Sequence, residues 1–174
     1  MVTTTQQTSQ SRSPAWLAVL FRTHNNTRTV DVALVVVRIA LAWIFFVYGA
    51  QKLFGWFNGG GIDGTAAFMA DGAGLKPGKF FAYAAGIIEF GAAIALALGI
   101  IARLAGVALL VDMVMAMITT TWSQGLHQTT GVGYELNVAL AALAVVMALL
   151  GAGTFSADAV VEQRLGATGQ GPDT

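Results

Sequence analysis

Four apolar runs fill the sequence from Val30 to Gly151. Each is long enough, at about 20 residues, to carry a helix across a hydrocarbon layer about 30 Å thick. In lipid every backbone N–H and C=O must be bonded within the chain, so runs of this length predict transmembrane helices. The composition agrees: 56% of the 174 residues are hydrophobic and 10% are charged, which excludes an ordinary water-soluble domain. The net charge is zero and the basic residues form no run, so nothing favours nucleic acid as a partner. The chain holds no cysteine, which removes disulfides, thiolate metal ligands and thiol catalysis from its chemistry.

The breaks between the runs set the expected organisation: an all-α, membrane-embedded four-helix bundle with a Gly-rich outer loop that carries a short helix. Residues 1–29 read as a polar tail, in which the apolar run Pro14 to Phe21 is too short to span and suits the headgroup region. The very N-terminus lacks a basic region joined to an apolar core, so no cleaved signal peptide is expected. The membrane domain covers 30–155. Its first helix is predicted from Val30 to Phe54, its second from Phe80 to Ile101, its third from Leu104 to Thr121 and its fourth from Tyr134 to Gly151. Between the first two, Asp63 is placed to cap a short helix through Ala70 that Gly72 ends. Residues 156–174 form a short tail. In the second helix Gly91, Ala95 and Gly99 have the small-xxx-small spacing that lets helix backbones approach.

Orientation follows from the cations near the membrane ends. Arg12, Arg22, Arg28, Arg103 and Arg164 fall on one side, and Lys52, Lys76 and Lys79 on the other. The larger group predicts cytoplasmic termini in a multi-pass protein of the plasma membrane. An aromatic belt of Phe54, Trp56, Phe80, Tyr83, Trp122 and Tyr134 gathers on the other side.

Ionisable residues inside the spans carry the functional signal, because a charge at the bilayer centre costs about 2.5–3.5 kcal/mol on insertion scales and needs a partner. Arg38, Glu89 and Asp112 occupy such positions. Counted along their helices, Arg38 and Glu89 fall within about one turn of the same depth, so a structural Arg38–Glu89 pair is expected. Asp112 is then left without a cation at its depth, and a carboxylate so placed is expected to keep its proton and to serve a ligand or a proton path. Lys52, His127 and Glu135 form a second expected group at the outer mouth, with Asn137 behind it. A stripe of the first helix, through Arg38, Ala42, Phe45, Gly49 and Lys52, would line a path between the two groups. Each cluster has a plainer reading, as a register-fixing ion pair or as solvated interface residues. Gly59, Gly61 and Gly64 match a dinucleotide-binding spacing, but they follow a membrane helix where a strand is required. His24 and His127 lack metal-site spacing, so no metal site and no intrinsic redox centre are expected.

Arg38, Gly49 and Lys52, Glu89, the Gly99 to Arg103 turn, Gly133-Tyr134-Glu135, and Gly151-x-Gly153 followed by Ser156 and Asp158 form an ordered pattern. In these residues the chain resembles the DoxX family of small four-helix membrane proteins, from about Asp31 to Val161. It departs at Ala152, where the family often has proline. The resemblance implies a membrane subunit of a redox- or sulfur-linked complex, related to the membrane subunit of thiosulfate:quinone oxidoreductase. Its polar interior would bind a quinone or small anion, and its partners would be lipids and other subunits. The alternatives are a structural or assembly subunit without a ligand and a small proton-coupled carrier; catalysis by this chain alone is not expected.

Overall fold

The computed structural model describes residues 27–127 and 133–161, and these are helical with no strand. Helix α1 spans Thr27–Phe54, α2 spans Gly61–Ala67 and runs on as a π turn over Phe68–Gly72, and α3 spans Gly78–Leu98. Helix α4 spans Ala102–Ala116 and continues through a π turn, Met117–Thr121, and a 3-10 turn, Trp122–Gln124; α5 spans Glu135–Leu150. Three segments, Thr27–Phe54, Gly78–Leu98 and Ala102–Gln124, are long and apolar enough to cross a membrane, while α5 is apolar but shorter. The N-terminal segment Pro14 to Phe21, part of the second loop and the end of the C-terminal tail lie outside the described residues.

The main packing pairs are α1 with α3 and α4 with α5, joined where α3 meets α4. Glycine sets both close approaches, though not at the positions expected. A Cβ on Gly49 would lie 2.6 Å from the Phe90 backbone nitrogen, and one on Gly106 would lie 2.6 Å from that of Ala148. Gly91, the first residue of the small-xxx-small motif, has no atom within 4 Å of its added Cβ, so no other backbone among the described residues approaches it closely. Leu34, Arg38, Leu41, Ala42, Phe45 and Gly49 form the buried face of α1, so the expected stripe is there. It packs rather than lining a path: Leu41 and Phe45 are fully buried in the core with Leu96, Leu109 and Met147.

The turn between α3 and α4 is built around two unusual backbone positions. Gly99 has φ +68°, the left-handed conformation that glycine adopts without strain, and ends α3. Its N–H donates to Leu96 O at 3.1 Å and that of Ile100 to Ala95 O at 2.9 Å, which satisfies the last carbonyls of α3. The start of α4 is capped from far along the chain. Asp158 accepts from the N–H of Ile101 at 2.8 Å and of Ala102 at 3.1 Å, and its own N–H donates to Gly99 O at 2.9 Å. Asp158→Ala is therefore expected to cost about 1–2 kcal/mol, the usual loss of a cap. Thermal unfolding in detergent would read this as a lowered midpoint, and an unchanged midpoint would refute the cap.

Candidate functional site

Helix α1 carries Lys52 two residues before it stops at Phe54, and α3 leaves the same end at Gly78. Antiparallel packing then fixes which residues share a level. Gly49 lies against Phe90 and Gly86 against Leu53, so Lys52 stands close to the level of Glu89. The Lys52 ammonium donates to Glu89 Oε1 at 2.7 Å and Oε2 at 2.6 Å. Glu89 is 2% exposed, whereas the Lys52 side chain keeps 25% of its surface, because its long stem lies along the helix and only the head is drawn inward. The Tyr48 ring, 5.4 Å from the same ammonium, adds a cation–π contact.

The expected Arg38–Glu89 pair is thus replaced by Lys52–Glu89. The same register sets Arg38 level with the α3–α4 turn, where a Cβ on Gly99 would touch its guanidinium. That is about 18 Å along the axis from Glu89, beyond the reach of any side chain. Arg38 instead binds the segment after α5. Its Nη1 donates to Ala152 O at 3.0 Å and its Nη2 to Phe155 O at 2.9 Å. Asp31, which the sequence reading passed over, accepts from Thr154 N–H at 3.1 Å and from its hydroxyl at 2.7 Å.

Asp112, on α4, lines one cavity of about 300 Å³ together with Lys52 and Glu89. It therefore does have a cation nearby, contrary to expectation. The walls are largely apolar, with Phe81, Ala84, Ala85 and Ile88 from α3, Val111, Met115 and Ala116 from α4, and Phe68 and Met69 from the π turn after α2. Thr119 and Thr120 complete the α4 wall. Their hydroxyls donate to Met115 O at 2.7 Å and Ala116 O at 2.6 Å, which uses their protons and leaves oxygen lone pairs free. The Asp112 carboxyl lies beside that of Glu89, and its Oδ2 is buried without a donor among the described residues.

Thr120 and the π-turn residues Phe68 and Met69 were not singled out from sequence. Only the three-dimensional return of α2 onto α3 brings the latter to the cavity. The expected outer cluster divides in two. His127 Nδ1 lies 3.2 Å from Glu135 Oε1, and Asn137 Oδ1 accepts from Thr121 at 3.4 Å, but neither His127 nor Glu135 lines the Lys52 cavity. Among the described residues no group of three or more His, Cys, Asp and Glu side chains is arranged to hold a metal.

Arg38, Lys52, Glu89, Asp112 and the Gly99 turn fall within residues 33–122, the stretch that matches the DoxX family model. The chain belongs to the DoxX family. No curated protein and no solved structure matches it. As a DoxX protein with helices long and apolar enough to cross a bilayer, it resides in a membrane.

Proposed function

We propose that this DoxX protein is a four-span plasma-membrane subunit of a redox- or sulfur-linked complex, and that a quinone occupies the cavity shared by Lys52, Glu89 and Asp112. The observation that carries the reading is a buried carboxyl oxygen without a donor, Asp112 Oδ2, on a residue that lines a space with largely apolar walls. A buried polar atom is normally hydrogen-bonded, so such an oxygen marks a place for a ligand atom or water. A quinone matches in kind: its ring and tail suit Phe68, Phe81 and the alanine wall, and its carbonyls require donors. The Lys52 ammonium supplies one, and Asp112 supplies another when it carries its proton. Val111 and Met115 line the cavity and are also exposed on the outside of the helix bundle, which favours entry from the bilayer. When bound, the quinone supplies two-electron redox chemistry; the protein binds and orients its head and keeps it in an apolar space. A small anion fits less well, since Glu89 already balances the Lys52 charge, whereas a neutral carbonyl needs only a remaining ammonium proton.

The fourth crossing is α5, with Tyr134 stacked on Trp122 at 5.5 Å at one end and the buried Ala152 turn extending its length at the other. Arg28, Arg38 and Arg103 lie at the end where the described chain starts at Thr27 and where the segment after α5 packs, which favours the cytoplasm for that end.

Purified protein in lipid nanodiscs is expected to bind a short-tailed quinone saturably. Asp112→Leu, which keeps the branched shape in a larger side chain and removes both oxygens, should weaken it about tenfold, equivalent to about 1.4 kcal/mol. Asp112→Asn, whose amide still donates, should stay close to the parent. Lack of saturable binding by the folded parent, or equal binding by Asp112→Leu, would refute the quinone site.

A further inference from the structure

The cavity residues are ordered by depth, and the order has a direction. Asp112, Val111 and Glu89 form its inner end, while Phe68, Phe81, Thr119 and Thr120 form its mouth, and all four mouth residues belong to the end of the molecule where Lys52 sits. Both π turns of the described chain, Phe68–Gly72 and Met117–Thr121, contribute to that mouth. A π turn widens the helix locally and is frequent at functional sites. Polar groups continue from the mouth to the inner end: the Thr119 and Thr120 oxygens, the Lys52 ammonium, the Glu89 carboxylate and the unpartnered Asp112 Oδ2. A space of about 300 Å³ holds several waters at about 30 Å³ each, and these groups give each water partners to bond.

Beyond Asp112 and Glu89 the core between the helices is closed. The groove between α3 and α4 on that side, about 200 Å³ along Ile88, Gly91, Leu104 and Ala108, has only apolar walls, and the space of about 570 Å³ at the Arg38 end reaches inward no further than Leu34 and Leu104. Leu41, Phe45, Leu96, Leu109 and Met147 are fully buried and pack together with Ala93, Ala105 and Met113. From Asp112 back to Ala102, where the Asp158 cap begins, is about 15 Å of helix. Water does not cross such a distance through close-packed aliphatic side chains without polar partners. The titratable groups that face Asp112 are Lys52 from α1 and Glu89 from α3; α2 and α5 contribute none to the cavity wall.

We infer that this cavity is the inner end of a one-sided water path, through which the Lys52–Glu89–Asp112 cluster exchanges protons with the Lys52 face of the membrane and not with the Arg38 face. The inference stands on the cavity, the threonine wall and the aliphatic plug, not on the quinone. Failure of quinone binding leaves it intact, and its own failure leaves a lipid-accessible quinone site intact.

The absence of native cysteine makes the test direct. Single-cysteine variants at Gly60, Thr120, Asp112, Leu109 and Val161, in oriented membrane vesicles, are exposed to a charged, membrane-impermeant methanethiosulfonate reagent from one face at a time. Gly60→Cys and Val161→Cys mark the two faces. Thr120→Cys and Asp112→Cys should react at least tenfold faster from the Gly60 face than from the Val161 face, and Leu109→Cys from neither. Reaction of Asp112→Cys from the Val161 face, from both faces equally or from neither would overturn the proposal. Should Asp112→Cys fail to fold, the native chain answers the same question. A water-soluble, impermeant carbodiimide should modify Glu89 or Asp112 from the Gly60 face only, as read by peptide mass. Modification by a lipid-soluble carbodiimide alone would show a cavity open to lipid and closed to water, and would equally overturn it.

Discussion

Lys52→Met and Glu89→Met should each lower stability sharply, while the double substitution Lys52→Met with Glu89→Met recovers much of the loss. Glu89 is 2% exposed and accepts two charged hydrogen bonds from one ammonium. Removing Lys52 strands a carboxylate in an apolar site, and removing Glu89 strands an ammonium whose head is held inside. Breaking a buried pair costs about 3–5 kcal/mol, mostly as the penalty on the group left behind. The Lys52 side chain keeps a quarter of its surface, so it can turn toward the interface and soften its own loss. Glu89 cannot turn outward and is relieved only by taking up a proton, so the loss in Lys52→Met should grow as the pH of the measurement rises. In the double variant no charge is left behind, and Met fills a similar volume. Thermal unfolding midpoints of the four proteins in one detergent give the coupling. If the double loss equals the sum of the single losses, Lys52 and Glu89 do not form a unit.

The membrane helices were legible because hydrophobic length is a property of the local sequence, and α1 and α3 start and stop within three residues of the expected ends. Family membership was legible too, since spaced polar residues survive in the one-dimensional order. What sequence could not supply was register. Depth counted from helix ends put Arg38 beside Glu89, but antiparallel helices slide past one another. Their offset is set where backbones touch, at Gly49 on Phe90 and Gly86 on Leu53. A displacement of a few turns exchanges one cation for another, so Lys52 moved from the expected outer group into the site. The small-residue motif did not reveal its partner for a related reason. Spacing identifies a face that permits close approach, and the actual contact was made at Gly49 and Gly106. Asp112 was legible as an unusual residue, and its cavity was not, because the walls come from three elements distant in sequence.

Arg38→Met is expected to release the segment that follows α5 without disturbing the Lys52–Glu89 site. Arg38 is 6% exposed, and its guanidinium reaches two carbonyls, Ala152 O and Phe155 O, three residues apart. Both belong to a turn with no helical partner for them, so removing the donor leaves polar groups unpaired beside the core. Hydrogen bonds to a charged group contribute about 1.5–3 kcal/mol each, which gives a loss of about 3 kcal/mol or more for the two. Arg38→Lys should recover little, because a single ammonium lacks the fork that spans two acceptors. The neighbouring contacts, Asp31 to Thr154 and Asp158 to the start of α4, hold the same segment and should become the limiting ones. Limited proteolysis would then cut near Phe155 in Arg38→Met under conditions that spare the parent, and faster still when Asp158→Ala is added. The same variant decides between the two pairings of Glu89. Because Arg38 and Glu89 lie about 18 Å apart along the axis, their substitutions should add to within about 0.5 kcal/mol. Rescue of Arg38→Met by Glu89→Met would mean that the two side chains meet, and the register described here would be wrong.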